Sequence, residues 1–445
     1  MAWPRDLSAA SLPPTYAASG EPAPTGTPLR GEAAADVAVI GAGITGASAA
    51  LHLAAAGASV RLLDAEAVGA GGSGRAFGQV VPYLRREPAR VLADLGTEAG
   101  ERLIDAAARV PALVAGLVSR HAIACDLDSH GLIFAAHSAA GAAMLHRRRR
   151  AWAERGIDLP LLDAGEAAVA IGGGRYRAAL IEPRGLSLNP LAYVRGLARA
   201  AVAAGARLHE RSRVTAIARR SGGWQVDLRD GRILCDRVIV ACGIELGAIL
   251  PALRLRVLPL RVHEAATACL PPDMLAGALP RQRALTDTRR LPSGIRRTGD
   301  GRLVVTLPGP IAGSRVGDLP DGLARLRALF PRLKDAAFAE TWSGWVDLTP
   351  DQYPRLVEPI PGLLVGYGLS GRGLGLGTAL GRALAERAAG VPADDTPFPG
   401  ADGPARRWFP GARLAAAVAA ASFRRIDAWQ ARRDASPSSP GRNGP

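Results

Sequence analysis

The sequence contains almost no lysine: of its 55 lysine and arginine residues, only Lys334 is a lysine. This skew, with 53 glycines and 34 prolines, is typical of a GC-rich coding sequence, in which arginine takes positions that lysine fills elsewhere. The formal net charge of +15 therefore does not by itself indicate a nucleic-acid partner, and we do not expect one. Within the run His146 to Arg150 (HRRRR), we expect a solvated helix face rather than an anion-binding surface.

Long apolar runs and paired cysteines are also missing. No segment approaches the ~20 apolar residues of a membrane-spanning helix, so we expect no transmembrane segment. The start, MAWPRDLSAASLPP, has no basic stretch followed by an apolar one, and the location predicted by default is the cytoplasm. The four cysteines include no CxxC pair, which argues against a disulfide framework or a metal site. We expect them to be reduced and mostly buried.

The length of 445 residues exceeds the ~250 to 300 at which a single core stops growing, which predicts two domains. Residues 1–34 are rich in proline, alanine, glycine and serine, and predict an arm that is extended or partly disordered. The strand and helix patterns that follow form a first unit, which is interrupted by an inserted region. The chain then returns to the first unit, enters a second inserted region and finally returns to the first unit again. This order indicates two interleaved domains.

The clearest pattern lies at residues 35–66, ADVAVIGAGITGASAALHLAAAGASVRLLDAE, which reads as strand, glycine turn, helix and strand. Within GxGxxG, Gly41 permits a tight turn, Gly43 lets the backbone approach a pyrophosphate, and Gly46 allows close packing of helix on strand. The helix start adds N–H donors and positive potential. Asp64 ends the second strand, where it can accept hydrogen bonds from a ribose. The unit predicts dinucleotide binding.

A second glycine-rich stretch, GAGGSGRAFGQVVPYL, follows at residues 69–84. Ser73 and Arg75 can donate to phosphate oxygens, while Gly74 and Gly78 permit close approach of the backbone. A nicotinamide enzyme usually continues with further strand and helix units instead. The second loop therefore favours FAD, whose far phosphate and flavin it could wrap.

Several segments resemble the FAD-dependent oxidoreductases of the D-amino-acid oxidase superfamily, in the amine-oxidising branch that includes γ-glutamylputrescine oxidoreductase. They are DVAVIGAGITG, GGSGRAFGQVVP, LIEPRGLSLNP, VIVACG, TWSGWVDLTPDQYP and PGLLVGYGLSGRGLGLG. The resemblance runs from about Pro13 to about Gly390. It implies an α/β fold with a Rossmann-type FAD-binding domain and an interleaved mixed β-sheet/α substrate domain. The expected FAD-binding domain comprises 35–115, 180–250 and 345–400; the substrate domain comprises 116–179 and 251–344, and a basic helix and tail fill 401–445.

The resemblance also implies which residues hold FAD. Ile44 and Thr45 join the three glycines at the pyrophosphate, Val214 meets the adenine through its backbone, and the helix that starts near Arg372 faces the flavin. The expected cofactor-binding set is Gly41, Gly43, Ile44, Thr45, Gly46, Asp64, Ala65, Ser73, Gly74, Arg75, Gly78, Gln79, Val214, Ala241, Cys242, Gly243, Gly344, Gly371, Arg372, Gly373 and Leu374. No histidine or cysteine lies between residues 73 and 79, so we expect noncovalent FAD.

The implied reaction moves a hydride from the carbon beside a neutral amine to flavin N5, giving an imine that water hydrolyses. It requires an oriented amine more than a strong base, so no catalytic acid or base is assigned. The substrate-binding candidates are Tyr83, His263 and Arg372. Tyr83 either faces the flavin or closes a core edge, His263 either accepts from an amine or is structural, and Arg372 binds a carboxylate or the flavin alone.

The sequence departs from the family at PSGIR (292–296), which lacks a tyrosine that often lines the pocket, and at Asn189, where histidine is usual. Lys334 is expected on an exposed helix, which leaves oxygen or another electron acceptor open. Other readings are a tRNA-modifying FAD enzyme, a flavin-binding protein with little turnover, and a nicotinamide dehydrogenase. The basic tail predicts an amphipathic helix that packs on the protein, meets a dimer partner or lies on a membrane.

Overall fold

The computed structural model describes residues 12–18, 20–290, 293–307, 320–400, 407–409 and 411–435. The strands are β1 Gly31–Ile40, β2 Val60–Leu63, β3 Gln79–Val80, β4 Leu132–Ala136, β5 Leu161–Leu162, β6 Ala178–Glu182, β7 Leu186–Ser187, β8 Arg207–His209, β9 Val214–Arg220, β10 Gly223–Leu228, β11 Gly231–Val240, β12 Leu258–Thr267, β13 Ala284–Asp287, β14 Gly294–Arg297, β15 Leu303–Leu307, β16 Phe338–Leu348, β17 Arg355–Ile360 and β18 Leu363–Tyr367. The α-helices are α1 Pro14–Ala17, α2 Ile44–Ala55, α3 Pro88–Leu95, α4 Thr97–Arg120, α5 Ala139–Ala153, α6 Ala164–Ile171, α7 Pro190–Ala203, α8 Leu246–Ile249, α9 Pro272–Leu275, α10 Pro320–Leu329, α11 Gly373–Ala388 and α12 Ala412–Ala435.

The first sheet has the order β17-β18-β11-β1-β2-β8, in which β18, β11, β1, β2 and β8 run parallel. Alternate residues of β1 enter two cores: Val37 and Val39 pack on the helical side, and Ala38 and Ile40 on the side of the β9–β10 hairpin. Burial on both faces explains the continuous apolar run at the end of β1.

Residues 231–240 form the single strand β11, which pairs with β1 along its whole length. Strand β10 pairs antiparallel with β11, so the chain reverses between them at Arg229 and Asp230.

The second sheet has the order β16-β12-β15-β14-β13-β4-β6-β5 and is antiparallel except where β13 meets β4. One face carries Leu132 and Phe134, which share a core with the first sheet's helices. The other face carries Ile133 and Ala135, which pack in a separate core with α6 and α10. The chain visits the two sheets alternately, as the interleaved fold class predicts. Strand β6 crosses the predicted boundary at 180, and β16 crosses that at 345.

The N-terminal arm is more ordered than the sequence predicts. Tyr16 is buried, and its ring packs edge-on against Trp342 at 5.1 Å between centroids. The backbone N–H of Thr15 donates to Glu340 Oε2 at 2.8 Å. The arm is therefore ordered at Thr15 and Tyr16, whereas residues 22–30 lie outside the helices and strands, in keeping with the extended form that the sequence predicts. The pocket that receives Tyr16 exists only after β16 has folded.

All four cysteines are free, and only Cys125 and Cys235 are buried. Cys242 is half-buried and Cys269 is exposed, so the expectation that most are buried holds for half of them. The helix predicted in the tail is present as α12. Within the part of the chain that the structure describes, no helix is both long and apolar enough to cross a membrane.

Candidate functional site

The residues predicted to bind a dinucleotide lie at one edge of the first sheet. Strands β1, β11 and β18 are neighbours and parallel, so their carboxyl ends, Ile40, Val240 and Tyr367, point the same way. Helix α2 begins just after β1, and α11 begins just after β18. A crevice at the carboxyl ends of parallel strands is the usual ligand site of such a sheet.

The first glycine turn is closed by backbone contacts. Gly41 adopts a positive φ of 101°, and its N–H donates to the Leu63 carbonyl at 2.8 Å. A Cβ atom built on Gly46 would lie 1.8 Å from the Gly41 carbonyl oxygen, so no larger residue fits. Gly43 occupies the N-cap of α2 and offers no side chain to cap it. The start of α2 therefore has no capping side chain of its own.

The two glycine-rich segments are in direct contact. The Ile44 N–H, in the first turn of α2, donates to Ser73 Oγ at 3.0 Å. A Cβ on Gly43 would lie 2.8 Å from the same oxygen. Gly74 approaches the Gly69 carbonyl so closely that a side chain would clash there. The segments predicted separately from the sequence thus form one site.

Arg75 lies beneath this site, and its position braces the second loop. It is buried, and its Nε donates to the Ala70 carbonyl at 2.9 Å. The backbone oxygen of Arg75 accepts from Trp342 Nε1 at 3.1 Å, and a Cβ on Gly344 would lie 3.3 Å from Arg75 Cβ. The second loop is therefore held against β16 of the second sheet.

Asp64 lies beside the first turn, as predicted. Its Oδ2 accepts from the Ala42 N–H at 2.8 Å, and its Oδ1 accepts from the Glu66 N–H at 2.9 Å, across Ala65. Burial raises the pKa of this carboxyl to about 6. The Ser212 N–H donates to the Asp64 carbonyl at 2.7 Å, which brings the start of β9, at Val214, towards the same corner.

The segment after β11 closes the other side of the turn. The Ala241 N–H donates to the Ile40 carbonyl at 2.9 Å, and a Cβ on Gly41 would lie 2.7 Å from the Ala241 carbonyl oxygen. Burial raises the pKa of the Cys242 thiol to about 12, so the thiol is neutral. Gly243 has a positive φ of 54°. The segment from Ala241 to Gly243 therefore lies against the first glycine turn.

The turn into α11 depends on a buried carboxylate. Asp347 Oδ2 accepts from the N–H groups of Gly368 at 2.7 Å and Leu369 at 3.2 Å. Gly371 has a positive φ of 83°, and Arg372 is the N-cap of α11 without a side-chain capping bond. Gly373 and Leu374 begin the helix. Burial raises the pKa of Asp347 to about 6.

The Asp347 carboxyl should make the stability depend on pH. Its pKa is raised from 3.8 to about 6 on folding, so the folded state holds its proton longer than the unfolded chain does. The group's contribution to the free energy of unfolding therefore falls as pH rises from about 4 to about 6, by about 3 kcal/mol in total. We expect Asp347→Asn to gain that much relative to wild type between pH 4 and pH 7 in urea unfolding. A stability difference that does not change with pH would contradict this.

Arg372 has an uncompensated charge. Its Nε is buried and has no hydrogen-bond partner among the described residues, and none of the ion pairs found there includes this side chain. Burial, with the nearby cations Arg85 and Arg148, lowers the pKa of the guanidinium to about 10, so it remains charged at neutral pH. Its Cζ lies 5.8 Å from the centroid of the Tyr83 ring. A buried cation without a partner is suited to an anionic ligand.

Tyr83 belongs to an aromatic cluster with a second arginine. Its buried ring lies 5.7 Å from Phe134 and 5.8 Å from Trp152, measured between centroids. The guanidinium of Arg148 lies 4.9 Å from the Tyr83 centroid and pairs with Glu87 at 2.8 Å. Burial raises the pKa of the Tyr83 phenol above its usual range.

Arg148 was missed by the sequence interpretation. The HRRRR run lies on α5 as expected, and its other members are exposed, but Arg148 is buried. The solvated-face expectation is therefore wrong for this residue. A signal was present: Leu145, Arg148 and Trp152 recur at helical spacing, and all three are buried.

The second loop also reaches the inner face of the second sheet. Gly78 has a positive φ of 100°, and its carbonyl accepts from the Leu188 N–H at 2.9 Å. Thr286 Oγ1 donates to Gln79 Oε1 at 2.8 Å, while Gln79 Nε2 has no partner among the described residues. Gln79 therefore offers a free donor between the two sheets.

The structure does not bring His263 to this face. Glu264 pairs with Trp342, whose ring contacts the second loop, and neighbouring residues of a strand point to opposite faces. His263 therefore points away from that loop, towards the side of the second core. Burial lowers its pKa to about 4, and neither ring nitrogen has a partner within the described ranges. His263 is therefore not assigned to the substrate site.

The remaining candidates have structural surroundings. Asp287 pairs with Arg289 and Arg325. Lys334 is exposed at the end of a 3-10 turn, Pro331–Leu333, rather than on an α-helix. Gly294 lies in the segment 292–296 that lacks the family's tyrosine. The ring of Phe77 packs against this glycine, since a Cβ built on Gly294 would lie 2.7 Å from Phe77 Cε1. Asn189 caps α7 by accepting from the N–H groups of Leu191 and Ala192, both at 3.1 Å.

Comparison with known proteins gives consistent matches over most of the chain. The family model DAO, described as FAD dependent oxidoreductase, matches residues 36–387. Gamma-glutamylputrescine oxidoreductase of Escherichia coli (strain K12) is 31% identical over 386 residues, which cover 83% of this chain and 87% of that protein. A probable oxidoreductase OrdL of Rhizobium meliloti (strain 1021) is 30% identical over 371 residues, covering 81% and 85%.

Solved structures agree with this result. Glycine oxidase from Geobacillus kaustophilus has a TM-score of 0.66 and 26% identity, with 80% of this chain and 95% of that chain covered. Iminodiacetate oxidase from Chelativorans sp. BNC1 has a TM-score of 0.66 and 25% identity, with 82% and 99% covered.

Proposed function

Because the chain belongs to the DAO family of FAD-dependent oxidoreductases, we propose that it oxidises the carbon–nitrogen bond of a small amino acid or related amine. The observation that carries the choice of substrate class is the guanidinium of Arg372, which is half-buried, has a buried Nε without a hydrogen-bond partner among the described residues, and takes part in none of the ion pairs found there. Bound FAD supplies the acceptor for the hydride removed from the carbon beside the nitrogen, and water hydrolyses the resulting imine.

The residues at the sheet edge fit a dinucleotide. Gly41, Gly43 and Gly46 lie so close to the protein's own backbone and to Ser73 that a Cβ atom would clash there, so glycine is what allows this tight turn to form. The start of α2 presents N–H donors and positive potential to a pyrophosphate. We assign the pyrophosphate to Gly41 through Gly46 with Ser73 and Gly74, and the ribose to Asp64, with Ala65 beside it. Val214 and the segment from Ala241 to Gly243 would enclose the adenine end.

The flavin end is assigned to the second loop and α11. Gln79 Nε2 is a donor without a partner among the described residues, and the N-terminus of α11 provides positive potential. Gly78, Gly344 and Gly371 keep side chains out of this region, and Arg75 fixes the loop from beneath. No residue is assigned as a covalent attachment point, so FAD is held by noncovalent contacts.

The substrate is assigned to the space beside Tyr83 and Arg372. The aromatic ring provides an apolar wall, and the guanidinium provides a partner for a carboxylate. A bound carboxylate would orient the amine and restrict its motion, which is the main requirement of this reaction. Arg148 is paired with Glu87 and would hold the Tyr83 ring in place.

One spectroscopic experiment tests this function. The purified protein is expected to show a flavin absorption band that is released into the supernatant by acid precipitation. Anaerobic addition of polyamines, N-methyl amino acids, and D- and L-amino acids should bleach the band with at least one compound that carries a carboxylate. A colourless protein would indicate a nicotinamide enzyme, and a band that only polyamines bleach would contradict the amino-acid assignment.

The electron acceptor can be tested on the same sample. Lys334 is exposed and lies outside the residues assigned to the flavin. We therefore propose that the reduced flavin passes its electrons either to oxygen or to another electron acceptor. Admitting air to the reduced protein distinguishes them, because rapid return of the absorption band indicates an oxidase.

A further inference from the structure

Helix α12 is attached to the protein along one face. Ala412, Ala420 and Asp427 are buried and recur at a spacing that places them on the same side of the helix. Asp427 accepts from the Arg290 N–H at 3.1 Å and pairs with Arg290 Nη1 at 3.3 Å. Just before the helix, Trp408 Nε1 donates to the Leu348 carbonyl at 2.8 Å. The helix is therefore fixed to the body in one orientation.

The opposite face carries large apolar side chains exposed to solvent. Leu414 is 73%, Val418 61% and Trp429 56% exposed, and helical geometry places the three on one stripe. Phe409, just before the helix, is also 56% exposed. Among the described residues, six of the eleven exposed large hydrophobic side chains lie between 409 and 429. Such a concentration differs from the scattered apolar residues of an ordinary surface.

Positive charge lies on the same side of the helix. Arg425 and Arg433 are exposed, and the Arg433 guanidinium lies 5.3 Å from the centroid of the Trp429 ring. Residues 401–445 contain eight arginines and three aspartates. One of these aspartates, Asp427, faces inward and is neutralised by Arg290. The outward face is therefore both apolar and basic.

We infer that this face of α12, defined by Leu414, Val418, Arg425, Trp429 and Arg433, docks the protein on an anionic lipid surface. Apolar and aromatic side chains would enter the interface, while the arginines pair with lipid phosphates. A second copy of the chain fits less well. A symmetric contact through the same stripe would bring the arginines of the two copies together.

Co-sedimentation of the full-length, flavin-loaded protein with lipid vesicles tests this inference. At about 0.1 M salt, binding to vesicles of phosphatidylglycerol and phosphatidylcholine should exceed binding to phosphatidylcholine alone by on the order of tenfold or more. The triple variant Leu414→Ser, Val418→Ser, Trp429→Ser should lose at least about tenfold in binding, since it removes the apolar part of the contact. Arg425→Glu with Arg433→Glu should lose a similar factor, and the loss should shrink at high salt.

A matched triple variant serves as the control. Val169→Ser, Val202→Ser and Ile360→Ser remove exposed apolar side chains elsewhere on the surface and should leave vesicle binding unchanged. Equal flavin content in all variants, measured by absorbance, establishes that each is folded. The inference is overturned by absent binding to anionic vesicles, or by binding that the stripe variants retain. A dimer in sedimentation velocity that the stripe triple variant dissociates overturns it in favour of self-association.

Discussion

Gly46→Ala is expected to abolish retention of FAD. The added Cβ would lie 1.8 Å from the Gly41 carbonyl oxygen, within the turn that joins β1 to α2. Neither atom can move alone, because the Gly41 N–H is fixed to the Leu63 carbonyl and α2 packs on α11. Overpacking of this kind costs about 1 to 3 kcal/mol, and more where neither side can move. We expect the affinity for FAD to fall by at least on the order of a hundredfold.

The measurement is the flavin absorbance that remains with the protein after gel filtration, followed by titration of the apoprotein with FAD. Gly116→Ala is the matched control, since this glycine is exposed on α4 and a Cβ there meets no atom within 4 Å. That variant should retain FAD fully, because alanine also favours the helix. Wild-type flavin content in Gly46→Ala would show that the dinucleotide does not depend on this turn.

Arg372→Gln is expected to lower kcat/KM for a carboxylate-bearing substrate by on the order of a hundredfold or more. The substitution removes a positive charge that is half-buried and has no ion-pair partner among the described residues. Loss of one member of a buried charge pair between protein and ligand typically costs about 2 to 5 kcal/mol. Because the pKa of Arg372 is about 10, its charge persists throughout the neutral range, and the effect should not depend on pH between about 6 and 9.

A comparison of substrates separates the two roles that the sequence left open for Arg372. If it binds the substrate carboxylate, the loss appears mainly with amino acids and is small with the corresponding amines. If it acts on the flavin instead, both substrate types lose equally and the reduction potential of the flavin shifts. Arg85→Gln removes a nearby exposed charge whose Nη1 donates to the Ser370 carbonyl at 3.1 Å, and should change kcat/KM by less than about threefold. An equally large loss of kcat/KM in Arg85→Gln would show that the effect comes from the overall positive potential of the site and not from a contact made by Arg372.

Local patterns in the sequence were sufficient for the nucleotide half of the site. The GxGxxG turn, α2 and Asp64 lie within 35–66, where glycine placement and apolar periodicity act over short distances. The second loop was also recognisable, because glycines and donors cluster in it. These local patterns did not reveal that the two glycine-rich segments contact each other. In the structure, the hydrogen bond from the Ile44 N–H to Ser73 Oγ makes that contact.

The substrate half could not be assembled in the same way. His263 was a reasonable candidate by residue type, yet the register of β12 against β16 turns it to the other face. Strand register depends on pairing between segments about eighty residues apart, which local periodicity does not reveal. Arg148 carried a helical burial signal, but nothing local indicated that its partner would be Tyr83.

The sequence by itself therefore determined the family, the fold class and the glycine turns of the proposed dinucleotide site, because backbone sterics and periodicity are local properties. Tertiary structure alone decided that Tyr83, Arg148 and Arg372 meet, since they come from three distant segments that only sheet pairing and helix packing bring together. It also decided that α12 buries Asp427 against Arg290 and turns its apolar, basic stripe outward. Burial and charge compensation, which depend on all neighbours at once, are the physical reason for that difference.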